Sequence, residues 1–556
     1  MARHAFLGSV FRAPRIGAVH ARCAYLTTID DGFMRIIAIA GLTWRRYRHR
    51  PCDRFFAFPP RESGWPVRSE RLIPLIVACA LFMEQLDSTV ISTSLPAIAV
   101  DLHEDPIALK LALTSYLLSL AVFIPASGWF ADRFGSRTVF RAAILIFTVG
   151  SLLCGLAQSL PDFVAYRILQ GMGGAMMVPV GRLIILRTVP KEDLVAALAW
   201  LTIPALLGPV MGPPLGGFIT TYFDWRYIFF LNLPIGVLGI LLASRFIPDI
   251  REPDVPPFDL KGMCLSGLGL AGLVFGFALL GQHAVRPWIA LTVIGVGAVA
   301  MSFYVRHARR TEKPILDLGL LKIPTFFAGV VGASLFRIGI GALPFLLPLM
   351  LQLGFGLTPF ASGLITFASA AGAMTMKFTA APIIRAFGFR RVLVVNGVIA
   401  SVFIAVGALF RPDTPYPMLI GALLLGGFFR SLQFTSANAL SYADVSNEEM
   451  SRATGFASVA QQVAVSTGVA VGALVLDGMR SWRGESTIML DDFSVAFVVV
   501  ALISVGSVFF FMRLPGDAGA ELARRRTKPA AVPDETPGAA QDTRPSDARQ
   551  PGSLAS

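Results

Sequence analysis

Long uninterrupted apolar runs limit what this chain can become more than any other feature. Fourteen of them, each of roughly twenty residues, fall between residues 72 and 514, separated by short charged or Pro/Gly-rich loops. About twenty residues at 1.5 Å each cross the ~30 Å of bilayer hydrocarbon. A backbone in lipid must satisfy its own polar groups, so runs of this length read as helices. Only 15% of the residues are charged and 54% are hydrophobic, whereas soluble domains carry about 25% charged residues. The expected fold is an all-α polytopic membrane protein with fourteen transmembrane helices.

The net charge of +13 suggests nucleic acid until its distribution is followed. Residues 1–72 hold 13 Arg against 5 acidic residues, and the tail carries Arg524, Arg525, Arg526 and Lys528. Arg133, Arg137 and Arg141 follow the second run, Arg187 and Lys191 the fourth. Arg306, Arg309, Arg310 and Lys313 follow the eighth, and Arg385, Arg390 and Arg391 the tenth, while of the alternate loops the one between runs nine and ten has no charge and the one between runs seven and eight only Arg286. That is the positive-inside pattern of a protein in the inner (plasma) membrane with both termini cytoplasmic, and no nucleic-acid partner is expected. The stretch Phe33–Trp44 is too short to span and carries no cleavage site, so 1–71 reads as a basic cytoplasmic extension. Cys23, Cys52, Cys79, Cys154 and Cys264 show neither metal spacing nor a disulfide framework.

An internal echo organises the rest. Phe134-Gly135-Ser136-Arg137 after run two returns as Phe387-Gly388-Phe389-Arg390 after run ten. It divides the chain into an N-terminal six-helix bundle (72–246), a linker with an inserted helix pair (247–324) and a C-terminal six-helix bundle (325–514). A polar tail at 515–556 reads as disordered. Two six-helix halves about a central cavity is a transporter layout.

Within the first run, Glu84 and Asp87 are three residues apart and share one helix face. A charge at mid-membrane costs about 3 kcal/mol or more. Burial disfavours the charged form of any carboxylate, and an acid able to take up and release a proton is what coupling to a proton gradient requires. A fixed helix–helix hydrogen bond is the plainer alternative. Arg167, in the fourth run, lies about 8 Å from the outer face, and Asp87 comes to roughly the same depth. The two can pair, as a switch or as a permanent ion pair.

After run two, Gly128, Asp132, Arg133, Gly135 and Arg137 read as a turn that latches helices at the cytoplasmic face. In run five, Gly208, Gly212 and Gly216 repeat at four-residue spacing, with Gly217 beside them and Pro209, Pro213 and Pro214 interleaved. The glycines make a flat face and the prolines bend the helix. Arg182 and Lys377 are expected to snorkel to the surface. Arg337 and Arg430 sit deeper and are candidates for the cavity wall, as are Gln461, Gln462 and Ser466, for which interhelical hydrogen bonding is the alternative.

These motifs, taken in order, resemble the major facilitator superfamily, and within it the fourteen-helix drug:proton antiporters of the EmrB/QacA type. Gly128 to Arg137 is similar to that family's loop 2–3 motif, Arg167 to Gly174 to its fourth-span motif and Gly208 to Gly217 to its antiporter motif. Leu86 to Pro96 resembles the first-span motif, and Trp225 to Pro234 the entry to span six. The resemblance implies alternating access, with proton entry driving export of lipophilic or cationic compounds. Asp87 would be the protonatable acid, Arg167 its regulator and Glu84 a second acid or cation contact. Ser136, Ser92 and Arg385 depart from the family pattern, at the latch, the cavity and the second latch respectively.

The partners implied are a small molecule, protons and membrane lipid, joined in a Gram-negative cell by a periplasmic adaptor and an outer-membrane channel. No cofactor and no metal are expected. No HExxH, GxSxG or Walker sequence is present and only six His occur, which argues against an enzyme. An exporter of one dedicated metabolite and a non-transporting sensor on the same scaffold remain the alternatives.

Overall fold

A computed structural model describes residues 69–519 except 190–193, 253, 254, 256, 281–284, 447, 448 and 486. The extension before Ser69, the tail after Gly519 and Lys191 lie outside the described residues. The apolar runs appear as helices. α1 spans Leu72–Thr93, α2 Lys110–Phe134, α3 Ser136–Gly155, α4 Leu160–Thr188, α5 Leu194–Tyr222, α6 Tyr227–Phe246 and α7 Leu260–Leu279. α8 spans Pro287–Ala308, α9 Pro324–Gly354, α10 Pro359–Phe387, α11 Phe389–Leu409, α12 Tyr416–Ser441, α13 Met450–Arg483 and α14 Leu490–Met512. Twelve of these are long and apolar enough to cross a bilayer. The other two, α5 and α10, have 29 residues each, and the count of fourteen rests on them.

Local chemistry sets the boundaries. The run at 72–98 is not one helix: α1 ends in a tight turn at Ile91–Thr93, and a short helix starts at Leu95. Pro96 explains the break, because its missing N–H is harmless only in the first turn of a new helix. Ser159 caps α4 by accepting from the Asp162 amide at 3.3 Å, and Asp259 caps α7 by accepting from the Gly262 amide at 2.8 Å. The two echoed turns share one geometry. Gly135 has φ +94° and Gly388 φ +74°, a conformation L side chains rarely adopt.

Helices α1–α6 pack among themselves, chiefly α1 on α5 and α3 on α4, and helices α9–α14 do the same, chiefly α10 on α12 and α9 on α13. The two sets meet along α5–α10 and α2–α13. Helices α7 and α8 pack on each other, and α7 leans on both α2 and α13 at the second seam. The α2–α3 and α10–α11 turns mark one end of the bundle, here the basic end. The α1–α2 and α13–α14 connections mark the far end.

The core is distributed unevenly between these ends. At the far end a single cluster runs through both sets, joining Leu95, Phe163 and Phe229 to Phe345, Leu349 and Phe493. Toward the basic end the sets have separate cores, around Phe140 and Ile184 in one and around Leu393 and Phe511 in the other. A small cluster of Ala121, Tyr304 and Val459 is the exception, where the inserted pair covers the α2–α13 seam.

Candidate functional site

Two features face opposite sides of α1. One side carries Asp87, 1% exposed, turned into the first helix set. Arg167 Nη1, from α4, donates to Asp87 Oδ2 at 2.7 Å, and neither side chain reaches solvent. Gln170 Nε2 donates to Asp87 Oδ1 at 2.8 Å, and Arg167 Nη1 also donates to Gln170 Oε1 at 2.7 Å. The three side chains form a closed triangle. Asn232, at the start of α6, donates to Asp87 Oδ1 at 3.1 Å and to Ser151 Oγ at 3.0 Å.

The Arg167 guanidinium lies 4.2 Å from the centre of the Tyr116 ring on α2, a cation–π contact that compensates part of its lost hydration. Its Nε donates to the Ala112 carbonyl at 3.4 Å, while Nη2 is buried with no partner. Glu84 is also buried, at 6% exposure. A methyl group at Gly174 would stand 3.1 Å from the Tyr116 hydroxyl and 3.6 Å from Glu84 Cγ, so the second acid shares this pocket.

Sequence reasoning brought Asp87 and Arg167 to one depth but missed Gln170, Asn232 and Tyr116. Gln170 stood three residues from Arg167, on the same helix face, and that spacing was the available signal. Asn232 joins from another helix, and nothing in the sequence pairs it with Asp87.

The other side of α1 faces a cavity of about 320 Å³ between the two helix sets. Thr89 and Ser92 line it from α1, Pro209 and Pro213 from α5, and Arg430 from α12. Thr89 stands about 200° around the helix from Asp87 at 3.6 residues per turn, so one helix presents an acid to one compartment and hydroxyls to the other. The α5 glycines let α1 sit this close. A Cβ at Gly212 would come within 2.1 Å of Thr89 Oγ1, and one at Gly216 within 2.2 Å of the Val90 carbonyl. Gly208 faces Gln85 and Leu86 in the same way, whereas Gly217 faces α10, 2.3 Å from the Pro359 carbonyl.

The turn after α2 ties three elements. Arg187 Nη2 donates to Asp132 Oδ1 at 2.9 Å and lies 3.6 Å from Glu252. The Ser136 amide donates to the Ile250 carbonyl at 3.0 Å, joining the turn to the linker after α6. Arg133 and Gly128 are exposed and Arg137 is half-buried. Arg182 and Lys377 are exposed, the latter with Nζ donating to Thr435 Oγ1 at 2.9 Å.

Of the cavity candidates, only Arg430 stands in the wall. Arg337 is buried behind it, Nη2 donating to Asn438 Oδ1 at 2.6 Å. Gln461 and Gln462 are half-buried on α13 away from the lining, and Ser466 donates to the Thr114 carbonyl at 3.4 Å, joining α13 to α2. Among the described residues no group of His, Cys, Asp and Glu is placed to hold a metal.

Two helix sets around a central cavity, with a buried Asp–Arg–Gln triangle beside it, define a two-bundle membrane transporter. The Major Facilitator Superfamily model matches residues 77–306 and 329–546, and the chain belongs to that family. Relatives from Salmonella heidelberg and Salmonella typhimurium, provisionally named multidrug resistance protein MdtD, are 36% identical over 459 residues, covering 82% of this chain and 97% of theirs. Solved structures share the fold at low identity. A POT family peptide transporter matches with TM-score 0.59 at 16% identity, covering 83% of this chain and 99% of that one. A D-xylose-proton symporter matches with TM-score 0.56 at 16% identity, covering 81% and 98%.

Proposed function

We propose that this protein is a proton-coupled exporter of lipophilic small molecules, working by alternating access in the inner membrane with both termini cytoplasmic. One observation carries the reading: the Asp87–Arg167–Gln170 triangle and the cavity lie on opposite faces of one helix. Protonation of Asp87 removes the charge that holds Arg167, so proton occupancy changes how α1 seats against α4. The same helix carries Thr89 and Ser92 in the cavity wall, so cargo occupancy bears on α1 from the other side. The MdtD relatives' name supports drugs as the cargo. The basic end is then cytoplasmic, with Asp132, Arg187 and Glu252 as its latch. In a cell with an outer membrane, cargo released at the far end enters the periplasm, where an adaptor and a channel would carry it onward.

The test uses purified protein in proteoliposomes with an imposed proton gradient and a panel of amphipathic dyes of different charge. Wild type is expected to move at least one dye against its gradient, and the Asp87→Asn/Arg167→Gln variant, which removes both charges of the pair, to move none. Undiminished gradient-driven transport in that variant would sink the coupling assignment.

A further inference from the structure

Among the described residues the cavity between the helix sets carries one charged side chain, and it is positive. Arg430 reaches the wall from α12, its Nη2 donating to the Ser369 hydroxyl and its Nε to the Gly426 carbonyl at 3.3 Å. Both partners are neutral. Among the described residues no carboxylate lines the cavity; the rest of the described wall is hydroxyl, from residues such as Thr89 and Ser431, or apolar, from Leu343 and Phe434. A second arginine stands behind Phe434. Arg337 Cζ is 5.5 Å from that ring, the residue is 1% exposed, and its Nε and Nη1 are buried with no partner. Its hydrogen bond among the described residues goes to the neutral amide of Asn438.

Two guanidinium groups therefore stand at this wall at membrane depth, Arg430 in it beside Phe434 in the lining and Arg337 against the Phe434 ring, and among the described residues neither has an acidic partner. The contrast with Arg167, which has Asp87, is plain. A charge at such depth costs about 2.5–3.5 kcal/mol even on insertion scales, and buried charges are ordinarily paired. The missing counter-charge has a place to sit, because the cavity opens beside Arg430 and a guanidinium presents a planar fork suited to an oxyanion.

We infer that the cargo is an amphipathic organic anion, with its carboxylate or sulfonate on Arg430 and its apolar body against Phe434 and Leu343. The volume of about 320 Å³ lies at the lower end of small-molecule cavities, which fits one compact molecule. This inference rests on the reading of the cavity as the transport path.

Proteoliposomes with an imposed proton gradient test it with three probes: the anion 1-anilinonaphthalene-8-sulfonate, its neutral relative N-phenyl-1-naphthylamine and the cation ethidium. Wild type is expected to favour the anion over the neutral compound. Arg430→Gln is expected to lower the anion-to-neutral rate ratio at least tenfold, with Arg430→Lys losing less. Transport of ethidium without the anion, or an unchanged ratio in Arg430→Gln, overturns the anion inference and leaves the export reading standing. Movement of no probe by wild type overturns both. If Arg430→Gln does not fold, competition on wild type decides. 1-Naphthoate is expected to displace the bound anion and 1-naphthylmethylammonium to leave it in place; equal displacement by the two overturns the inference.

Discussion

Asp87 and Arg167 hold each other where neither would be tolerated alone. Removing one partner of a buried pair leaves an uncompensated charge and costs about 3–5 kcal/mol, whereas removing both is often neutral. Asp87→Asn and Arg167→Gln are therefore each expected to lower the melting temperature of the purified protein, and the double variant to recover most of the loss. Additive losses across that cycle would show that the 2.7 Å contact contributes no coupling. The pair was legible because depth follows from counting residues along two helices. Rotation about each helix and the distant Asn232 were not, since they depend on packing the sequence does not display. Arg430 and Arg337 show the same limit. Both are arginines in apolar spans, and only the three-dimensional placement puts one in the cavity wall and the other behind Phe434.

At the scale of elements, α5 is the helix on which both neighbours bear. Gly216 faces the Val90 carbonyl on α1 at 2.2 Å from a built Cβ, and Gly217 faces the Pro359 carbonyl on α10 at 2.3 Å. Backbone atoms cannot rotate aside, so a methyl group at either site must push a whole helix away. Gly217→Ala is expected to loosen the seam between the helix sets, and Gly216→Ala the seat of α1. Gly239→Ala on α6, which would meet only Ile144 side-chain carbons at 3.6 and 3.8 Å, is the matched control. Transport rates should fall severalfold in the first two and hold in the third; equal rates in all three would refute the packing argument. The glycine spacing was visible in the sequence, but which stripe met which helix was not. The break after α1 was likewise hidden, because an apolar run does not show where Pro96 starts a new helix.

Another contact at this scale spans the far end. Arg480, on α13, pairs with Asp105 in the α1–α2 connection, and its Nη2 lies 2.9 Å from Asp477. Asp105 is partly exposed, so the bridge contributes only about 1 kcal/mol, yet that shifts a two-state population about fivefold. Ser94, fully buried in the same α1–α2 connection and 2.6 Å from the Thr220 hydroxyl, reports on opening. A cysteine there should be labelled by an impermeant maleimide severalfold faster when Asp105→Asn is added, and an unchanged rate would show that this pair does not hold the far end shut.

For the whole molecule, the uneven core defines the conformation. One apolar cluster runs through both helix sets at the far end, while the cores separate toward the basic end. Polar ties cross at the far end too. Gln352 Nε2 donates to the Thr93 carbonyl at 2.9 Å, and the Phe360 amide donates to Thr221 Oγ1 at 3.0 Å. Each such bond contributes about 1 kcal/mol net, in addition to the apolar cluster, and under the proposed mechanism proton or cargo binding must reverse this closure. Release of cargo on that side requires α1 to part from α9, which a covalent tether would prevent. Cysteines at Thr93 and Gln352, in a background with the five native cysteines replaced, are expected to join through a short thiol-cleavable cross-linker. Joining them should abolish gradient-driven transport, and reduction should restore it. Cross-linked protein that still transports at the full rate would mean that the two helix sets do not separate at the far end, and that cargo leaves by a path other than alternating access.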